Sequence, residues 1–350
     1  MTMEPETSWS FRRDIDSILT SPHPRWQSLM HANILITGGT GFIGRWLLES
    51  LAEVNQRHCF NLHVTLITRN PELFINQAPH LAKADNIHIQ QCDLVNTRHI
   101  TGNYSHIIHA AADSSSKLNE EQPLSVFHSI LRGTESILEL ASTLPRTKVL
   151  FLSSGAVYGL QPPDLAGVQE TWNGSPNLQV AKNTYGEAKR AAEMLCAIYR
   201  KQFGVDVVSA RIFSLLGPFL PLGTHFAAGN FIRDALAGNK IVVQGNGRPV
   251  RSYLYPSDLV IWLLTLLTTS PREAAYNIGS ERAVSIAELA QTVAALIGRQ
   301  GYEVLGHDDA GWNAGRYVPD TSLIRSEFGL AESVSLESAI LNTAAASLSN

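Results

Sequence analysis

The stretch Asn33-Ile-Leu-Ile-Thr37-Gly38-Gly39-Thr40-Gly41-Phe42-Ile43-Gly44 decides the reading of this chain. Its first five residues form a short β-branched, apolar run that reads as a buried strand. From Phe42 to Glu53, the positions of Ile43, Trp46, Leu47, Leu48 and Leu51 approach helical spacing. Glycines at 38, 41 and 44 join the two. Glycine permits a tight turn and a close approach of backbone to a pyrophosphate, whose charge then rests on the free N–H groups and positive dipole end of the helix. Strand, glycine turn and helix in this order predict a dinucleotide-binding unit. Its candidate contacts are Gly38, Thr40, Gly41, Phe42, Ile43 and Gly44.

Outward from that unit, short apolar runs alternate with longer amphipathic stretches. Strands are expected at His63–Ile67, Ile87–Ile89, His106–His109, Val149–Leu152 and Val205–Ile212, and a helix over Val126–Ser142. This alternation predicts the α/β class: a doubly wound parallel sheet of the Rossmann kind, covered on both faces. After Gly217-Pro218 the pattern loosens. Helices are expected at Phe231–Ala237, from Pro256, over Ile286–Ile297 and over Leu336–Ala346, with a strand at Lys240–Val243. They suggest a smaller, interleaved C-terminal lobe. The expected division is 32–216 for the dinucleotide-binding domain, with segments near 250–280 returning to it, and 217–350 mainly for the second lobe. Residues 1–31, with Trp9, Phe11, Ile15, Ile18, Leu19 and Trp26, are too apolar for a free tail and are expected to pack on the body.

Composition narrows the function. The 350 residues are 44% hydrophobic and 17% charged with a net charge of −4, which excludes a disordered chain and offers no basic field for nucleic acid. No apolar run is long enough to span a membrane. The three cysteines, Cys59, Cys92 and Cys196, lie far apart and fit a reducing, cytoplasmic setting. The histidines show no metal spacing; His106 and His109 read as packed strand residues, and no metal site is expected.

Two further features carry chemistry. The second strand ends Ile67-Thr68-Arg69-Asn70 with no carboxylate to bond a ribose 2′-hydroxyl, whereas Arg69 could pair with a 2′-phosphate; NADP(H) is therefore favoured over NAD(H). Asp93, followed by Leu94, is placed to meet the adenine edge, and the small residues Ala110, Ala111 and Ala112 let backbone pass close to a cofactor. Tyr185 and Lys189, four apart, share one helix face. A neighbouring ammonium and a nicotinamide cation would lower the phenol's pKa and make it a general acid/base. Ser153-Ser154 stands at the C-terminal end of the fifth strand, where open α/β sheets bind ligands.

With Thr37–Gly44, His109–Ala112, Ser153-Ser-Gly-Ala-Val-Tyr-Gly159, Tyr185xxxLys189, Arg211-Ile-Phe, Arg251-Ser-Tyr-Leu-Tyr255 with Asp258, and Tyr276-Asn-Ile-Gly-Ser280 in this order, the chain resembles the extended short-chain dehydrogenase/reductases of the nucleotide-sugar epimerase/dehydratase family over about residues 32–345. The resemblance implies an enzyme in which Tyr185 is the catalytic acid/base, Lys189 holds the nicotinamide ribose and tunes the tyrosine, and Ser154 orients the substrate oxygen. It also implies that Arg251 grips the substrate diphosphate, with Arg316, Asn230, Arg233 and Ser114 as further substrate contacts, and that the chain forms a homodimer through the 126–142 and 185–199 helices.

The chain departs from the pattern where the dehydratases carry an Asp-Glu pair; here stand Gly155 and Ala156, which cannot titrate. Ser214 replaces a diphosphate-binding asparagine. A 4-ketoreductase acting on an NDP-4-keto-6-deoxyhexose fits best. The alternatives are an NDP-sugar 4-epimerase with tightly bound NAD, a 4,6-dehydratase, and a catalytically silent dinucleotide-binding protein. A role with nucleic acid or membrane has no support in the sequence.

Overall fold

The structure, a computed structural model, describes residues 9–96, 100–112, 116–223, 226–306 and 315–348. The chain opens with α1 (Phe11–Thr20), β1 (Asn33–Thr37), α2 (Phe42–His58), β2 (His63–Thr68), α3 (Pro71–Gln77), α4 (Pro79–Ala82) and β3 (Ile87–Gln91). It continues through β4 (His106–His109), α5 (Ser116–Glu121), α6 (Pro123–Thr143), β5 (Lys148–Ser154), α7 (Thr184–Phe203), β6 (Asp206–Ile212) and α8 (Ala227–Leu236). Then come β7 (Ile241–Val243), β8 (Val250–Arg251), α9 (Pro256–Thr268), β9 (Ala275–Ile278), β10 (Val284–Ser285) and α10 (Ile286–Ile297). The last elements are β11 (Tyr302–Val304), β12 (Arg316–Tyr317), α11 (Ser322–Phe328) and α12 (Leu336–Leu348).

Seven strands make one sheet in the order β3-β2-β1-β4-β5-β6-β9, and every pairing in it is parallel. Side chains alternate across a strand, so β1 serves both faces. Ile34 and Ile36 pack with Trp46, Leu47 and Leu51 of α2 and Leu259 and Leu263 of α9. Leu35, between them, packs with Val126 and Ile130 of α6 and Ala188 and Ala192 of α7. Every residue of α9 is buried, as a helix apolar on all sides requires. The strand order reverses between β1 and β4, which opens a crevice at their C-terminal ends.

Two small sheets stand apart from the main one, β10-β8-β12 and β11-β7. Around them α8, α10 and α12 bury Phe231, Ile232, Leu289, Val293 and Ile340. At the other end of the chain α1 lies on α2 and α9. Phe11 meets Trp46 and Phe219 edge-on, at 5.2 and 5.4 Å between ring centres. Asp14 accepts hydrogen bonds from Trp9 Nε1 at 2.8 Å and Tyr255 Oη at 2.7 Å.

The elements depart from the sequence reading at their ends. Helix α2 continues past Glu53 to His58 because Val54 prolongs its buried stripe, and α8 begins one turn earlier than Phe231. The short helix α3 was not expected. Its start is set by Asn70, whose Oδ1 accepts the Leu73 N–H at 3.1 Å.

Candidate active site

The three glycines of the first turn do different work. Gly38 has φ +71°, and a Cβ there would fall 2.5 Å from the Ala110 carbonyl carbon, so it lets the ends of β1 and β4 touch. A Cβ on Gly44 would fall 2.3 Å from Gly39 Cα, so this glycine seats α2 on the turn. Above Gly41, by contrast, a Cβ would meet only Gly38 O, at an ordinary 3.5 Å. Gly41 is the N-cap of α2, and no side chain caps the helix. The first-turn N–H groups of Phe42, Ile43 and Gly44 therefore lack intrahelical acceptors, and Gly41 before them is exposed. The chemistry of this cradle fits a pyrophosphate. Thr40 lies half-buried beside it.

The Ala110–Ala112 segment is held by a buried chain of hydrogen bonds. Thr134 Oγ1 donates to Ile130 O at 2.7 Å, so it accepts from His109 Nε2 at 3.2 Å. His109 Nδ1 then accepts from Thr37 Oγ1 at 2.7 Å, and Thr37 Oγ1 in turn accepts the Ala111 N–H at 3.2 Å. Burial holds His109 neutral, with its pKa lowered to about 3. Arg69 is exposed just past β2, and its guanidinium pairs with none of the described residues. The Asp93 oxygens close their own turn on Val95 N and Asn96 Nδ2, while the buried Leu94 accepts the Ser136 hydroxyl on its carbonyl.

Beside this crevice α7 lies along the end of β5. The Tyr185 phenol lies beside Ser154, which opposes the rise of its pKa, and the Tyr185 backbone N–H is held by Asn119 Oδ1 at 3.1 Å. Lys189 is 2% exposed; its Nζ donates to Leu152 O at 2.6 Å and rests 4.7 Å from the centre of the Phe151 ring. The expectation that the ammonium lowers the phenol's pKa is corrected here. Burial raises Tyr185, the Ser154 hydrogen bond opposes that rise, and Lys189 is not among the groups that shift it. The ammonium faces the β5 backbone instead.

The second lobe closes the site from the opposite side. Tyr317 Oη lies 3.3 Å from Ser154 Oγ, and its ring lies tilted against that of Phe213, 4.6 Å between centres. Arg251, the register partner of Tyr317 across β8 and β12, lies 6.0 Å from the centre of that ring. Tyr185, Ser154, Tyr317 and Arg251 thus form one continuous row. At the positions after Ser154, a Cβ on Gly155 would fall 2.6 Å from Phe213 Cζ, so the phenyl ring fills the space an acidic side chain would need.

An α/β sheet with a pyrophosphate cradle at its switch point and a Ser-Tyr-Lys group beside it agrees with the family model that matches residues 34–279, described as the NAD dependent epimerase/dehydratase family. The chain belongs to this family. Among its relatives, UDP-glucuronic acid decarboxylase 1 of Xenopus tropicalis is 30% identical over 89% of this chain and 70% of that protein. UDP-glucuronic acid decarboxylase 3 of Arabidopsis thaliana is 31% identical over 75% of this chain and 74% of that one. Among solved structures, dTDP-glucose 4,6-dehydratase from Bacillus anthracis, in complex with NAD, superposes with a TM-score of 0.75 at 20% identity, covering 91% of this chain and 97% of that one.

In this epimerase/dehydratase chain the remaining described candidates lie on β8, β12 and α8. Arg251 Nη1 donates to Val250 O and Gly315 O. Arg316 Nε donates to Ala166 O at 2.9 Å. Arg233 is held by Asp234 Oδ1 at 2.8 Å and by Asn230 Oδ1 at 3.1 Å, one turn away on α8. Ser114 lies outside the described residues. The sequence reading missed Tyr317, Asn119 and Glu193. Tyr317 and Asn119 carry no local signal, since their partners are 163 and 66 residues distant. Glu193 could have been found, because it stands four residues beyond Lys189 on the same helix face. Among the described residues no helix is long and apolar enough to cross a membrane, and no three His, Cys, Asp or Glu side chains gather as for a metal.

Proposed function

We propose that this NAD-dependent family member is a nucleotide-sugar 4-ketoreductase, acting on an NDP-4-keto-6-deoxyhexose with NADP(H) favoured over NAD(H). What supports this reading is a half-buried phenol beside Ser154 whose raised pKa keeps it protonated, next to Gly155, where the Phe213 ring fills the space of a side chain. Carbonyl reduction asks for one proton at one oxygen, which this site supplies. Water loss asks for a further acid/base, and the two positions after Ser154 hold Gly155 and Ala156, which cannot titrate.

The bound cofactor supplies the hydride. Gly38, Thr40, Gly41, Phe42, Ile43 and Gly44 would cradle its pyrophosphate, Arg69 its 2′-phosphate, Asp93, Leu94 and Ala110–Ala112 its adenosine side, and Lys189 the nicotinamide ribose. Ser154 Oγ orients the substrate carbonyl. Tyr185 Oη gives its proton to that oxygen as negative charge develops, and burial favours this direction by keeping the phenol protonated. Arg251 and Arg316 would take the diphosphate, with Asn230, Arg233 and Ser114 completing the wall. A second reading, decarboxylation of a UDP-uronic acid, is favoured by the names of the relatives above.

The test is product analysis with each substrate class. Stoichiometric consumption of NADPH with a 4-keto-6-deoxy sugar nucleotide supports the reductase. Release of carbon dioxide from UDP-glucuronic acid without net cofactor use overturns it in favour of the second reading, and interconversion of epimers without net cofactor use overturns it in favour of a 4-epimerase.

The homodimer belongs to the same proposal. The outer faces of α6 and α7 expose Leu124, Met194, Ile198 and Phe203, at 66%, 62%, 39% and 57%. A second copy laid across both helices would bury these side chains in a four-helix arrangement.

A further inference from the structure

On α7 one more polar side chain shares the face that carries Tyr185 and Lys189. Glu193 follows Lys189 by four residues, so the three line a single stripe. They meet the last three residues of β5 one each. Tyr185 lies beside Ser154, Lys189 donates to the Leu152 carbonyl at 2.6 Å, and Glu193 accepts from the Ser153 hydroxyl at 2.5 Å. Glu193 is itself fixed from β6, where Arg211 donates to it through Nη2 at 2.7 Å and through Nε at 3.1 Å. Arg211 also donates to Tyr158 Oη at 2.7 Å, and Tyr158 donates to Asn277 Oδ1 at 2.8 Å. The carboxylate is thus the junction of β5, β6 and α7 directly behind the reactive row.

We propose that Glu193 is a positioning residue for this site: through Ser153 it pins the end of β5 to α7, and its charge, shared with Arg211, stands one helical turn beyond Lys189 on the same face. This inference rests on the function proposed above. The titratable groups acting on Lys189 are Glu193 and Cys196 from α7 and His109 from β4, beside the Phe151 ring and Leu152 carbonyl of β5. Cys196 remains a thiol, its pKa pushed up to about 12 by burial. His109 is neutral for the same reason. Glu193 is therefore the anion among these groups. Burial lowers the Lys189 pKa to about 8, and Glu193 opposes the fall. Without the carboxylate, the ammonium surrenders its proton at lower pH.

The test uses the full chain labelled with ¹³C-lysine, with the Lys189 signal assigned by its loss in Lys189→Met. Two measurements are made, the pH midpoint of that signal and the steady-state constants. In Glu193→Gln the midpoint is expected to fall by about one pH unit, with kcat down about tenfold and KM for the sugar nucleotide little changed. Pairing that change with Arg211→Met, which leaves no orphaned guanidinium, is expected to keep the lowered midpoint. Ser153→Ala, which removes the pin and leaves the charge, is expected to lower kcat with the midpoint in place. An unmoved midpoint in both Glu193 variants, with activity lost only in proportion to folded protein, overturns the proposal. Unchanged turnover in Tyr185→Phe would instead overturn the function on which it rests, whatever the lysine signal shows.

Discussion

In the proposed reaction the phenol of Tyr185 is the proton donor. Replacement by phenylalanine removes the proton donor and leaves the pyrophosphate cradle untouched. Turnover is expected to fall by roughly 10²–10⁴, the usual range for general acid–base catalysis, while dinucleotide affinity measured by fluorescence titration stays near wild type. Two buried histidines bear on stability. His106 and His109 have pKa values lowered from 6.5 to about 4 and about 3, in each case mainly by burial. The unfolded chain therefore binds protons below pH 6.5 that the folded chain refuses, so stability falls as pH drops from there toward 4. Each histidine contributes a slope of up to about 1.4 kcal/mol per pH unit. Urea midpoints across that window check the sign, and His109→Gln is expected to flatten the slope.

Among the elements, α1 sits far from the chemistry yet touches what surrounds it. Phe11 packs on Trp46 of α2, the helix that begins at the cradle, and on Phe219. Trp46 Nε1 donates to Pro218 O at 3.0 Å, and Phe219 takes a positive φ of 70°, rare outside glycine. The helix thus buttresses the β6–α8 connection from behind. Phe11→Ala is expected to cost roughly 2 kcal/mol in urea denaturation, less than the ~3–5 kcal/mol of a fully buried phenylalanine because Phe11 is only half-buried. An unshifted midpoint would show instead that α1 lies outside the cooperative unit formed by the sheet.

For the molecule as a whole, a ligand that binds only the folded chain stabilises it. At a hundred times Kd, NADPH is expected to add about 2.7 kcal/mol, seen as a higher thermal midpoint. NAD at the same concentration is expected to add less, and Arg69→Glu should erase or reverse the difference. Sedimentation equilibrium tests the dimer. The wild-type chain is expected at twice the subunit mass, and Met194→Glu, which buries a charge in the shared face, at the subunit mass. A wild-type monomer at micromolar concentration sinks the assembly proposed here.

What could be read in the sequence alone is what local periodicity records. The run Ile34–Ile36, the glycines at 38, 41 and 44 and the Tyr185–Lys189 spacing determined a doubly wound sheet, a tight turn into α2 and a shared helix face, because backbone conformation and side-chain stripe are set within a few residues. Tertiary structure decided what no spacing can encode. It brought Tyr317 against Ser154 from 163 residues away, turned Lys189 toward the Leu152 carbonyl, and raised the Tyr185 pKa where charge proximity alone foretold a fall. The physical reason is that desolvation and orientation belong to the packed environment, and that environment exists only once distant segments have met.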